Sequence, residues 1–279
     1  MTTPDISRLS LNQRTVRRWG VRQAIEGCLR HGIDAIGLWR EPVADLGLTV
    51  SAALIKDAGL RVSSLCRGGF FAQPGWLDDN RAAIDEAATL GAPCLVLVVG
   101  GLPDGSTDLA AARAHMSDAI AALAPHATQA GVRLALEPMH PVYCADRGVL
   151  STLGQALDVA APYPPDIVGV MLDTFHLWWD PRVLEQIARA GRERRISGFQ
   201  VSDFLRKLPA DVLLARAMMG DGVIDFGSLC GAVTAAGYTG DVEVEIFNAD
   251  IWAADPNDVL AVMKKRYASL IAPVLHPAT

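Results

Sequence analysis

The chain alternates between short apolar runs and longer stretches whose apolar residues recur with helical spacing. In the first such stretch the apolar residues share one helical face, at i, i+3, i+4, i+7 and i+8: Val21, Ala24, Ile25, Cys28 and Leu29. Gly32 would end this helix, and the run 35–39 that follows is too short for a second helix. This run therefore predicts a buried strand.

The same alternation continues along the chain. The predicted strands are 9–11, 35–39, 60–65, 94–99, 132–136, 168–172, 196–201 and 242–247. The helices predicted after the first are 49–58, 77–90, 107–129, 152–161, 182–190, 226–236 and 256–271. The last of these begins with Asp255 as N-cap and Pro256 at the first helical position.

Eight strands, each followed by a helix, predict an α/β fold of the (β/α)8 TIM barrel type. The strands are continuously apolar, as expected for parallel strands that are covered on both faces. A doubly wound open sheet is the alternative, and the number of units favours the barrel. No linker or low-complexity segment interrupts the 279 residues, which predicts a single domain, 1–279.

Composition and charge narrow the possible partners. Hydrophobic residues make up 51% of the chain and charged residues 20%, which excludes extensive disorder. The net charge of −6 argues against nucleic acid and anionic membranes as partners. Five scattered cysteines without a CxxC pair, and an N-terminus without a signal-like apolar segment, predict a cytoplasmic protein. A homo-oligomer stays open.

Polar side chains follow four successive predicted strands. They are Glu137, Asp173, Gln200 and Glu245. In a TIM barrel the C-terminal ends of the strands meet at one mouth, so these side chains are expected to converge. Three carboxylates in one pocket need a counter-charge, and an all-oxygen donor set suits Mg²⁺ or Mn²⁺. The alternative is that they are ordinary polar residues where strands meet solvent.

Further polar and aromatic residues follow the same strands. His176 and Arg206 are candidates for binding substrate, against the alternatives of a backbone-bonded histidine and a surface arginine. His140 and Arg147 follow the fifth strand. Arg40, Glu41 and Arg67 follow the second and third strands, where they either form ion pairs or bind the substrate. The aromatic residues near the mouth serve either packing or sugar binding: Trp39, Phe70, Phe71, Trp178, Trp179 and Trp252.

Four motifs carry a resemblance to a known family. They are LEP at 136–138, LDTFH at 172–176, GDGVIDF at 220–226 and EVEIF at 243–247. With these motifs the chain resembles the xylose-isomerase-like barrels of the sugar phosphate isomerase/epimerase superfamily, which includes tagatose 3-epimerase-like enzymes, hydroxypyruvate isomerase, 2-keto-myo-inositol dehydratase and endonuclease IV.

The resemblance implies a metal site formed by Glu137, Asp173, Gln200 and Glu245. The third ligand of the epimerases is usually histidine, and hydroxypyruvate isomerases also carry glutamine there. The resemblance assigns substrate binding to His176 and Arg206. The Pro-Gly-Arg stretch that follows the glutamine of hydroxypyruvate isomerases is missing, so hydroxypyruvate is not the expected substrate.

Together these residues predict a metal-dependent isomerase or epimerase of a sugar or keto-sugar. Glu137 and Glu245 would move a proton next to a carbonyl, through a metal-stabilised enediolate. One alternative is a lyase, either a dehydratase or an enzyme that cleaves a 3-keto-glycoside by elimination. Another alternative is a non-catalytic barrel that only binds a ligand. A nuclease like endonuclease IV is not expected, because the chain is acidic and contains few histidines.

Overall fold

Eight parallel strands close into a barrel in the computed structural model, which describes residues 5–275. These strands are β1 (Leu9–Asn12), β2 (Ala35–Trp39), β3 (Arg61–Gly69), β4 (Cys94–Val98), β5 (Arg133–Leu136), β6 (Val168–Asp173), β7 (Ile196–Val201) and β10 (Val242–Val244). Each pairs with its neighbours in chain order, and β10 pairs with β1. The predicted TIM barrel is confirmed, and the open sheet is wrong. Residues 1–4 and 276–279 of the predicted domain lie outside the described part.

Helices surround the barrel. They are α1 (Val21–His31), α2 (Arg40–Leu46), α3 (Leu48–Ala58), α4 (Trp76–Leu90), α5 (Leu109–Ala130), α6 (Leu153–Ala160), α7 (Thr174–Leu177), α8 (Val183–Arg192), α9 (Phe226–Ala235), α10 (Ala249–Ala253), α11 (Pro256–Arg266) and α12 (Ala272–Leu275). Several end at a glycine with positive φ, such as Gly32, because a left-handed residue closes the last turn without a side-chain clash. Among these helices none has the length and apolarity needed to cross a bilayer.

The segment after β7 differs from the predicted loop. It contains two short antiparallel strands, β8 (Asp203–Phe204) and β9 (Arg216–Ala217). The carboxylate of Asp203 accepts hydrogen bonds from the backbone N–H groups of Gly220, Gly222 and Ile224, which ties the far end of the segment to its start. This hairpin directs Arg216 back over the barrel mouth.

The interior of the barrel contains a polar layer below the mouth. Glu243 lies in the middle of β10 and is 2% exposed. Its carboxylate accepts hydrogen bonds from Asn12 Nδ2 (2.6 Å), Gln200 Nε2 (2.9 Å), Ser63 Oγ (2.5 Å) and Ser64 Oγ (2.8 Å). Four donors compensate the cost of burying this charge.

Candidate active site

A cavity of about 200 Å³ opens at the C-terminal end of the barrel. Its polar lining includes Glu137, Glu245, His176 and Arg216. The strands that lead to Glu137 and Glu245, β5 and β10, are separated by β6 and β7 in the barrel. The two carboxylates therefore reach the cavity from different sides.

Glu137, Asp173 and His176 form one cluster on β5, β6 and α7. One ligand atom from each lies within 4.8 Å of the others, and all three residues are buried. Asp173 is the last residue of β6 and caps α7, because its Oδ1 accepts the backbone N–H of Phe175 at 2.8 Å. That cap fixes the carboxylate, and it places His176 one helical turn further along.

Arg216 joins this cluster to Glu245. Its Nη2 lies 2.7 Å from Asp173 Oδ2 and 3.0 Å from Glu245 Oε2, and the side chain is 4% exposed. The guanidinium lies 4.6 Å from the ring centroid of Phe175, and Nη1 donates to Ser202 Oγ. The structure thus brings together Glu137, Asp173, His176 and Glu245 around one buried cation.

Burial and mutual repulsion disturb the titration of both glutamates. Burial raises the pKa of Glu137 well above its usual range, and the negative charges of Glu245 and Asp173 raise it further. Burial also raises the pKa of Glu245 to about 8, although Arg216 opposes this shift. Burial disfavours the charged guanidinium, yet Asp173 and Glu245 raise the pKa of Arg216, which stays cationic.

His176 is held in one orientation by the backbone. Its Nδ1 accepts the N–H of His140 at 3.1 Å, so the proton of the neutral ring is on Nε2. Burial lowers the pKa of His176 well below its usual range, and Arg216 and His140 lower it further. Nε2 lies 3.2 Å from Arg216 Nη2. Two N–H donors so close together repel each other, and one oxygen that accepts from both would relieve this repulsion.

Gln200 lies one layer below the cavity. It is level with Glu243 in the barrel register and is completely buried. Its Nε2 donates to Glu243 Oε1, whereas its Oε1 has no hydrogen-bond partner within residues 5–275. The hydrogen bond to Glu243 therefore fixes the amide, and Gln200 does not line the cavity with Glu137 and Glu245.

Arg206 is exposed on the β8–β9 segment, and it does not line the cavity. The arginine inside the cavity is Arg216, ten residues further along the chain. The β8–β9 hairpin brings Arg216 to the mouth, and no periodic pattern in the sequence signals this position. Glu243 was also missed, although its period-two spacing to Glu245 on one strand indicates that both face the interior.

The other predicted rim residues divide between scaffold and cavity. Arg40 pairs with Asp79 and Glu86, while Glu41 pairs with Arg14. Arg67, Arg147, Trp39 and Phe70 line the cavity. The remaining aromatic residues pack against neighbours, with Phe71 on Trp76, Trp178 on Phe204, Trp179 on His140 and Trp252 on Phe247.

The buried charges favour a cation at this site. Glu137, Asp173 and Glu245 are three carboxylates, each at most 5% exposed, and Arg216 contacts two of them, Asp173 and Glu245. The unpartnered Oε1 of Gln200 is a neutral oxygen one layer below them. Buried charges require compensation, and carboxylate, amide and imidazole donors are ligands of divalent ions. These residues therefore fit a divalent metal.

Comparisons with solved structures show the same fold. A protein from Sinorhizobium meliloti 1021 is 47% identical, with a TM-score of 0.92, over 95% of this chain and 99% of that one. An IolI protein with bound zinc is 21% identical, with a TM-score of 0.78, over 96% of this chain and 98% of that one.

A D-psicose 3-epimerase from Clostridium cellulolyticum H10, solved with D-tagatose, is 16% identical, with a TM-score of 0.75, over 95% of this chain and 99% of that one. No curated protein matches the chain. The model of the xylose isomerase-like TIM barrel family matches residues 25–266. The barrel, its mouth and this match lead to one conclusion: the chain belongs to the xylose isomerase-like TIM barrel family.

Proposed function

We propose that this protein is a metal-dependent isomerase or epimerase of a keto-sugar and that it acts by proton abstraction next to a carbonyl. The observation that carries the proposal is the placement of Glu137 and Glu245. They reach one buried cavity from two sides, and Arg216 lies beside Glu245. A carbon acid flanked by two carboxylates can lose a proton on one face and regain it on the other.

The position of Glu245 supports its role as the base. Its carboxylate lines the cavity, and burial raises its pKa in the metal-free protein, so it accepts a proton more readily than an exposed carboxylate does. Glu137, whose pKa is also raised, would return a proton from the other side. Return to the same carbon gives epimerisation, and return to the neighbouring carbon gives isomerisation.

Arg216 and His176 would bind the substrate oxygen on which negative charge develops. Their facing N–H groups, 3.2 Å apart, offer two donors to one oxygen in a buried site. A divalent cation held by Glu137, Asp173 and Glu245, with Gln200 as a further ligand, would supply Lewis-acid stabilisation of that charge. We propose Mn²⁺ or Mg²⁺ for this place.

The volume of the cavity bears on the size of the substrate. The volume of about 200 Å³ is below the roughly 300–1,000 Å³ of pockets for drug-sized ligands, so it suits one sugar unit.

All five cysteines are free, which supports our proposal of a cytoplasmic protein.

Deuterium exchange tests the proposal. A panel of ketoses is incubated with enzyme and Mg²⁺ or Mn²⁺ in D₂O, and mass spectrometry follows deuterium in substrate and product. We expect incorporation at the carbon next to the carbonyl, lost with chelator and reduced at least about 10²-fold in Glu245→Gln. Arg182→Gln, an exposed change outside the cavity, is the matched control.

Turnover with complete retention of the α-hydrogen would contradict proton exchange with solvent and remove Glu245 as an exchanging base. The products then separate the reaction classes. A product of unchanged formula, apart from deuterium, supports the isomerase or epimerase. Loss of water or of a β-substituent identifies a lyase, which shares the first step.

A further inference from the structure

Three arginines besides Arg216 line the cavity. They are Arg14, Arg67 and Arg147, and they come from the segments at the C-terminal ends of β1, β3 and β5. Within the cavity lining they accompany only two carboxylates, Glu137 and Glu245. The mouth is therefore rich in cations, although the chain as a whole carries a net charge of −6.

Arg67 is a cavity arginine without a direct ion pair among the described residues. It is half-buried in the cavity wall, and within residues 5–275 its guanidinium forms no hydrogen bond and no ion pair. Its guanidinium lies over the ring of Phe70, whose centroid is 4.3 Å from Cζ. The five N–H donors of this guanidinium bind no acceptor among the described residues, so they are available to an anion that enters the cavity.

The two neighbouring arginines are only partly compensated. Arg14 reaches Glu41 at 3.2 Å, but Glu41 is 55% exposed and Arg14 Nε is buried without a partner among residues 5–275. Arg147 is paired with Asp146, which is next to it in the chain, 3.5 Å away and 63% exposed. Such exposed pairs contribute little and leave both cations able to bind a ligand.

The positive charges of Arg14 and Arg147 lie close enough to act on Arg67. Burial lowers the pKa of Arg67, Glu41 opposes this shift, and the positive charges of Arg147 and Arg14 lower it further. Arg40, on the wall of the adjacent cleft of about 490 Å³, provides the contrast. It binds Glu86 at 2.7 Å and Asp79 at 3.0 Å, so that arginine serves the scaffold.

We propose that the substrate is an anionic sugar, whose terminal carboxylate or phosphate binds Arg67 with Arg14 and Arg147 beside it. The anion site itself is inferred from the arginines alone. The reaction at the other end of the substrate rests on the proposed function. The planar fork of arginine matches carboxylate and phosphate oxygens, and a charged pair is stronger than a neutral hydrogen bond. Binding the anion would also hold the keto group toward Glu137 and Glu245.

Binding of unreactive polyols tests the anion site separately from catalysis. Sorbitol, gluconate and sorbitol 6-phosphate share a six-carbon chain and carry no ketone, so none can enter the proposed reaction. Their dissociation constants are measured by calorimetry at low salt. We expect at least one anionic polyol to bind about ten-fold or more tightly than sorbitol, as one charge-assisted contact suffices for this ratio.

The two anions also distinguish the two ligand sources. Tighter binding of gluconate indicates a sugar acid, and tighter binding of sorbitol 6-phosphate indicates a sugar phosphate. In Arg67→Gln the preference for the anionic polyol over sorbitol should fall at least about ten-fold. Arg182→Gln removes a charge from an exposed ion pair at the same end of the barrel, and this variant should keep the preference. Thermal melting of each variant checks that the barrel is folded.

Equal binding of all three polyols would overturn the anion site. So would an anion preference that persists both in Arg67→Gln and in the double variant Arg67→Gln/Arg147→Gln. A missing deuterium exchange with an intact anion preference would instead overturn the proposed reaction and leave the anion site standing. The two failures are therefore distinguishable.

Discussion

Arg216 Nη2 lies 3.0 Å from Glu245 Oε2, and the same nitrogen lies 2.7 Å from Asp173 Oδ2. One buried cation thus links the end of β6 to the residue after β10. This position also explains why the pKa of Glu245 is raised only to about 8, since the guanidinium offsets part of the effect of burial. The local charge balance of the cavity depends on this residue.

The first prediction concerns the two arginines of the β8–β9 segment. Arg216→Gln should lower kcat/KM at least about 10²-fold, because it removes a donor aimed at developing charge. Arg206→Gln should stay within a few-fold of wild type, because that side chain is exposed. Arg216→Lys keeps the charge without the fork and should recover only part of the loss. Steady-state kinetics of all three on one keto-sugar decide between the arginines.

A second prediction concerns stability in metal-free protein. Glu245 has a folded pKa of about 8, above the ordinary carboxyl value, so the folded state binds the proton more tightly. Its contribution is fully present at acidic pH and is lost as the pH rises toward 8. The contribution of Glu245 to the free energy of unfolding should fall by about 1 kcal/mol per pH unit between pH 6.5 and 8, which is a few degrees in Tm.

His176 opposes the effect only toward the lower end of this window, because the folded ring stays neutral while the unfolded ring binds a proton near and below the ordinary histidine pKa. Thermal melts of wild type and Glu245→Gln in chelator measure the slope. The variant should be flatter from pH 6.5 to 8. An equal slope in both proteins would show that other groups are responsible.

The third prediction concerns the metal ligands. Asp173→Asn should weaken Mn²⁺ binding, since it removes a buried charge from the cluster. Gln200→Leu should weaken it less, because it removes a neutral oxygen, whereas Gln200→His should keep or tighten it, as imidazole binds borderline ions well. Calorimetric titration with Mn²⁺ gives the order of affinities. Unchanged affinity in Asp173→Asn would place the metal elsewhere.

The fourth prediction concerns the space that β2 leaves for Glu243. A Cβ on Gly37 would lie 2.3 Å from the Glu243 carboxylate. This carboxylate accepts four hydrogen bonds, so it cannot move away without breaking them. Gly37→Ala should therefore cost about 1–3 kcal/mol of stability, as overpacking does. Gly231→Ala in α9 is the control, because the nearest atom to its added Cβ, Val274 Cγ1, lies at an ordinary contact distance of 3.8 Å. Chemical denaturation compares the two, and equal losses would refute the clash.

The sequence by itself determined the barrel and most of what surrounds its mouth. Continuously apolar runs separated by amphipathic stretches allow few arrangements, since each run must be covered on both faces. Polar residues such as Glu137 and Asp173 follow such runs directly, so topology alone brings them to one end. Gln200 was placed on the correct strand, and its partner Glu243 could have been found from its spacing to Glu245.

The tertiary structure alone decided which arginine enters the cavity. Arg206 and Arg216 lie on one irregular segment, and no local pattern distinguishes them. Their positions depend on the β8–β9 pairing and on Asp203, which fixes backbone amides 17 to 21 residues away. The same holds for Arg67, which forms no ion pair in the part of the chain that the structure describes, whereas Arg40 and Glu41 have bound other partners. Long-range pairing of charges depends on distances in the folded chain, which residue spacing does not encode.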